Sequence, residues 1–395
     1  MTGAGLNPPD RMVHIQGRAL AAGGMGLAAT FVGGLLDPAR ALPAYLFAYV
    51  FWIGLSLGSM AVLMLHYQVG GSWGYVTRRI LEAGMLTLPL MAVLFVPILL
   101  GLDKLYPWAN LETVLGDPKL RHQQPYLNAG FFIARSAMYF ICWIACAFFL
   151  ARWSTRLDQG GDSALLVRLK RLSGPGLLVY AVTMFFASVD WVMSTEPDWS
   201  STIYGMITLA SQSLSAFAMA TAVLVWLSSA PPWSVVVTRS RLNDLGNLML
   251  TGVMLWAYVS FSQYLIIWAE NLPREISWYL HRTSPGWRWV ALGLIAFHFC
   301  VPFVLLLFRA IKRDSSWIAA VAWGLLACRL VDDFWRVIPA FRPSGLGFHW
   351  SYLSAPLGIG GVWIALFMAV LRRRPGLPLH DSEFAPVLAE ARSHA

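Results

Sequence analysis

Charge is scarce in this chain. Asp, Glu, Lys and Arg make up 12% of its 395 residues, about half the ~25% of an ordinary soluble domain, and that deficit excludes a water-soluble globular fold. Cysteine and histidine are scarce as well. The four cysteines, at 142, 146, 300 and 328, form no CxxCH for covalent haem and no iron–sulfur spacing. Of the eight histidines, only His298 falls near the middle of a long apolar run, whereas a haem b between helices needs facing axial ligands. The chain is therefore expected to hold no metal and no redox centre of its own, and no catalytic residue is assigned.

Long apolar runs are what the sequence has in abundance. It is 57% hydrophobic, with a mean hydropathy of +0.59. A helix needs roughly 20 apolar residues to cross the hydrocarbon. Ten such runs occur, at about 16–36, 41–66, 80–101, 128–151, 173–195, 202–228, 245–268, 286–309, 316–339 and 350–371. The expected fold class is thus all-α integral membrane, with ten transmembrane helices. The first run is rich in Gly and Ala like a signal peptide, but a second long run follows after only DPAR (37–40), so it reads as a true first helix. Most of the 19 Trp stand near the ends of the runs, where interface belts form.

With an even number of spans, both termini share one side. That side carries 18 Lys and Arg and the opposite side nine, with Arg135 and Arg329 inside runs. The bias puts both termini in the cytoplasm. It also accounts for the net charge of +9 without nucleic acid.

Two short matches recur. RILEAG (79–84) and RLNDLG (241–246) open the third and seventh runs, and ASVDW (187–191) and RLVDD (329–333) close the fifth and ninth. Both pairs are offset by four runs, which preserves direction and predicts a parallel repeat. The expected organisation is a first helix within 1–40, one four-helix bundle over 41–201, a second over 202–345, and a last helix with its tail over 346–395.

Charges inside apolar runs are costly, and they mark a pathway or a site unless they are paired. Glu82 and Asp244 stand one turn into the third and seventh runs, three residues after Arg79 and Arg241. They either pair with those arginines while capping a helix N-terminus or admit protons. Arg329, Asp332, Asp333 and Arg336 share one helix face and sum to zero charge. The expected pairs there are Arg329–Asp333 and Asp332–Arg336, both i, i+4. Asp190 has no base within a turn of its own helix, and Arg135, equally alone on the fourth run, is its expected partner. His298 is either a satisfied interior histidine or a titrating group. The aromatic, charged loops 102–127 and 270–287 are either docking surfaces for partner subunits or ordinary interfacial loops.

Three stretches carry a family resemblance: HYQVGGSWGYVTRRILEAGMLTLPLM (66–91), VPILLGLDKLYPW (96–108) and FASVDWVMSTEPDWSSTIYGM (186–206). The chain resembles ActF-type subunits, the second of the two NrfD-like (PsrC-like) membrane subunits of bacterial alternative complex III, a quinol:electron-acceptor oxidoreductase. The likeness runs from about the second run to the tenth, and ten runs favour this family over eight-span NrfD relatives. It implies two four-helix bundles with flanking helices. It also implies a sister NrfD-like subunit, an iron–sulfur subunit and c-type haem subunits as partners, and haem and iron–sulfur clusters held by those partners. Menaquinol or ubiquinol would be the reductant, with a proton path through this chain and a quinone site either here or in the sister subunit. The candidate proton-path or quinone-linked residues, read from the charges inside the runs, are Asp190, Arg135, Glu82, Asp244, His298, Arg329, Asp332, Asp333 and Arg336. A structural anchor of such a complex, a subunit of another quinone-linked reductase, and a stand-alone transporter are the competing readings. The transporter is disfavoured because no Gly/Pro-broken runs occupy matching places in the two halves.

The basic asymmetry makes a direct prediction. A reporter fused at Ala395 should be active only when the reporter works in the cytoplasm, and activity confined to the periplasm would overturn the topology.

Overall fold

The computed structural model describes residues 11–160, 163–231, 233–374 and 377. Ten long helices follow the apolar runs: α1 (Arg11–Leu36), α2 (Pro38–Val69), α3 (Ser72–Leu100), α4 (Ala129–Gly160), α5 (Ser163–Trp191), α6 (Tyr204–Leu227), α7 (Arg239–Glu270), α8 (Trp287–Leu307), α9 (Ser315–Phe341) and α10 (Ser351–Arg372). Among the described residues there is no strand. Nine of these helices are long and apolar enough to cross a membrane, which makes this an all-α, multi-pass membrane protein. The remaining one, α9, is 27 residues long and carries the charged stripe in its second half. We call the end where α1 begins the near face and the other the far face.

The centre is a pair of helices. α2 and α6 are buried along almost their whole length and cross each other directly. Around them α2–α5 close one ring and α6–α9 another, while α2 also packs on α9 and α6 on α5. Lipid gives helices no hydrophobic reason to associate, so close packing must supply the attraction. Gly58 on α2 provides it: a methyl added there would stand 2.1 Å from the Gln212 carbonyl oxygen of α6. The same device seats α1 on α10, where Gly23 and Gly26 meet the backbone of Gly361 and Gly358.

α3 is not continuous, and its own prolines explain why. Pro89 and Pro97 cannot donate backbone hydrogen bonds, and the helix breaks into Ser72–Met85, Leu88–Leu94 and Val96–Leu100. Across the breaks Phe95 and Ile98 bond to carbonyls three residues back, which frees the Met91 and Leu94 carbonyls. Two tyrosines of α2 take them: Tyr49 donates to Met91 at 2.9 Å and Tyr45 to Leu94 at 2.7 Å. A second irregularity lies in α8, a π-helical turn over Ile295–Cys300 just ahead of Pro302. One break is in the second helix of its ring and the other in the third.

The loop after α3 folds into short helical turns that cover the far face, with Tyr106 and Trp108 buried and the Tyr106 hydroxyl donating to the Trp191 carbonyl at 2.8 Å. The loop after α7 forms the helix Pro273–Thr283 on the same face.

Close approach at Gly58 is testable. Gly58→Ala forces a clash with backbone, and overpacking of this kind costs about 1–3 kcal/mol, so the detergent-purified variant should melt several degrees lower. At Gly54 an added methyl meets Gln212 Cγ at an ordinary 3.4 Å. Gly54→Ala should therefore melt with the parent, and equal melting of both variants would remove the crossing from its central role.

Candidate functional site

Buried charge is arranged in two tiers. On the near face, Glu82 is fully buried in the third turn of α3, beyond the N-terminus it was expected to cap. Its Oε1 accepts from Arg78 Nε at 3.2 Å and from the Ser154 hydroxyl of α4. Its Oε2 accepts from Arg79 at 2.7 Å and from Arg374, just past α10, at 2.7 Å. Arg79 also pairs with Asp158 on α4. The expected Arg79 partnership exists, but it is one strand of a cage joining α3, α4 and the end of α10. The equivalent place on α7 also carries engaged charges. Arg241 is buried and donates to the Val236 carbonyl, Asp244 is half-buried and engaged, and Lys312 reaches Asn247 at 2.6 Å.

On the far face, Arg135 of α4 and Asp190 of α5 meet fork to fork, with Nε–Oδ2 at 2.9 Å and Nη2–Oδ1 at 2.8 Å. The expected partner is the actual one. The Tyr139 hydroxyl adds a third bond to Oδ2 at 2.8 Å. Arg135 also donates through Nη1 to the Tyr126 carbonyl at 3.0 Å and lies under the Tyr126 ring, 3.9 Å from its centroid. Such a bidentate, charge-assisted pair is both strong and directional. Tyr126, in the loop outside the spans, has its phenol pushed up to about 12, first by burial and then by the negative charge of Asp190.

The stripe on α9 forms one of the two expected i, i+4 pairs, Arg329–Asp333, and not the other. Arg329 holds both acids, Asp332 and, at 3.1 Å, Asp333. Asp332–Arg336 is not the second pair: Arg336 approaches Asp333 at 3.6 Å instead. The cause is tertiary, since the Arg336 guanidinium donates to Thr208 of α6 at 2.7 Å and sits over the Tyr204 ring. Its backbone carbonyl in turn accepts from Arg282 at 2.6 Å, and Arg282 pairs with Glu196 at 2.8 Å. Glu196 lies in the loop after α5 and also meets His281 at 2.9 Å. The first ring's loop is thereby tied to the second ring's last helix. His298 stands apart, fully buried on the π turn of α8 with its ring 4.1 Å from that of Trp256.

Sequence reasoning missed several members of these clusters. Tyr139 was within reach, because it follows Arg135 by four residues and so shares its helix face. Ser154, Asp158, Arg282 and Arg374 were not, since each comes from an element remote in the chain. The structure does not bring the expected acids and bases into one site; it holds them as a near-face cage, a far-face pair and a far-face stripe, with Asp244 and His298 apart from all three.

Two cavities flank the Asp190 end of α5 and share Val189, Met193 and Ser200. One, of about 260 Å³, runs under Tyr126 and Trp199; the other, of about 370 Å³, opens between α5 and α7 toward Gln263 and Glu270. Among the described residues no group of three or more His, Cys, Asp or Glu is placed to hold a metal ion. Compared with known proteins, the chain matches no family model and no curated protein.

The fork predicts a coupled cost. Asp190→Asn leaves the Arg135 charge unpaired in a site shielded from water, which costs about 3–5 kcal/mol, and the variant should melt well below the parent. Asp190→Asn combined with Arg135→Gln removes both charges and should recover most of the loss. If the double variant melts no higher than the single one, the two residues are not energetically coupled.

Proposed function

We propose that this chain is the ActF-type membrane subunit of a quinol-oxidising respiratory complex, alternative complex III, and that it carries protons and seats quinone while its partners carry electrons. The three motif stretches support the family. The observation that carries the role is the Arg135–Asp190 fork, a carboxylate held among membrane helices beside cavities that open on the far face. Charged groups at such depth are retained where they serve a pathway.

The chemistry is consistent with a shared task. Quinol oxidation releases two protons and two electrons, so a site needs hydrogen-bonding or basic groups at the ring oxygens and a redox centre nearby. Haem and iron–sulfur groups of the partner subunits would supply the centre. In this reading the chain spans the bacterial inner membrane ten times, α9 included, with both termini cytoplasmic. The two rings are the parallel repeat, and the two tiers are the ends of a proton route. A structural anchor is the second reading, favoured by one observation: the carboxylates of Glu82, Asp190, Asp332 and Asp333 all have an arginine partner.

Purification from the native membrane separates these readings. The chain should bring down c-type haem and iron–sulfur proteins, whereas isolation without any redox protein would point to a transporter. In the assembled complex, the Asp190→Asn, Arg135→Gln double variant should keep its haem content and lose quinol turnover or proton-to-electron ratio. Asp332→Asn, with two arginines near, should have the smaller effect. Normal turnover and stoichiometry in the double variant would leave the fork a purely structural element.

A further inference from the structure

Where α7, α8 and α9 meet, four buried polar atoms have no protein hydrogen-bond partner: Nδ1 and Nε2 of His298, Nε1 of Trp256 and Nε of Arg329. The atoms belong together. The His298 and Trp256 rings are 4.1 Å apart at their centroids, and the π turn of α8 that bears His298 packs on both α7 and Arg329's helix α9. His298 is 0% exposed, Arg329 3% and Trp256 7%. Burying even one such atom unsatisfied is costly, and proteins meet that cost with internal water or a ligand.

The backbone is shaped to the same end. Pro302 cannot donate to the His298 carbonyl four residues back, and the π turn over Ile295–Cys300 widens α8 at the histidine, a device common at functional positions. The donor count selects the occupant. Trp256 and Arg329 offer only N–H, and a neutral imidazole offers one N–H and one acceptor. The site therefore suits a small molecule rich in acceptor lone pairs that also donates, which is water.

We propose that His298, Trp256 and Arg329 enclose an internal hydration site midway along α8, and that His298 passes protons through it to the Asp332/Asp333 carboxylates. The relay rests on the proton-path reading above; the hydration site does not. In the step, neutral His298 takes an incoming proton on one ring nitrogen as the proton on the other leaves through water to an Asp332 carboxylate oxygen, so the imidazole is neutral before and after and the acid ends neutral. No electron moves. The stripe is built to accept it, because Arg329 holds two acids: when one is protonated, the arginine keeps the other. A lone acid–base fork has no such reserve.

Two measurements test this. In the full chain, purified and labelled with ¹⁵N-histidine, the His298 signals are identified by their loss in His298→Phe. Hydration predicts a ring N–H that exchanges with deuterated water within minutes despite its burial, and exchange over hours would overturn the site. In the quinol-oxidising complex, His298→Phe and His298→Gln should assemble with unchanged haem content while the proton-to-electron ratio falls at least twofold. Parental ratios in both variants would overturn the relay, even with rapid exchange. A parental complex that oxidises no quinol would instead count against the function proposed above, and the exchange measurement would still decide the site.

Discussion

The interior of the helix bundle is shielded from bulk water, and a charge placed there needs a counterpart close by. That constraint orders the polar residues of this chain. A buried carboxylate or guanidinium left alone is far more costly than the pair, so the acids are met by arginines from the same turn, from the next helix, or from the end of the last one. The same rule governs the backbone. Where proline interrupts α3, the hydroxyls of Tyr45 and Tyr49 take up the carbonyls that the helix releases, since lipid offers no substitute.

The α2–α6 crossing joins the tiers mechanically. Both helices are buried along nearly their whole length, and Tyr180 of α5 donates to Gln212 of α6 at 2.8 Å, one residue-contact away from the Gly58 approach. Thr208, also on α6, holds Arg336. A shift of α6 along its axis would therefore be felt at the α9 stripe and at the α5 interface together. The Glu196–Arg282–Arg336 link adds a second bridge between the rings at the far face.

Much of this was legible in the sequence, because membrane helices are written as long apolar runs with few exceptions, and the exceptions are the polar tiers. The Arg135–Asp190 partnership followed from elimination: neither residue had a base or acid one turn away. Local spacing was a poorer guide on α9, where Arg329–Asp333 pairs as its i, i+4 spacing suggests but Arg336 answers to Thr208 and Tyr204 on another helix. Glu82 shows the same limit. Its Arg79 partner is three residues away, yet Arg374 is 292 residues distant, and no local pattern announces it. The π turn at His298 was hidden for a related reason, since hydropathy reads the run 286–309 as uniform and is blind to a one-residue widening.

The seat of α1 has a consequence for how the protein is made. Its glycine face fits the glycines of α10, a helix made only after eight others have followed α1. At about 5–20 residues per second, α1 waits in the bilayer on the order of tens of seconds before its partner emerges. Its small-residue groove stays open to other helices for that interval, and any neighbour with a matching groove becomes a competitor during biogenesis. The α1–α10 seat can thus close only after the eight helices between them have been made, so α1 finds its place long after it enters the membrane.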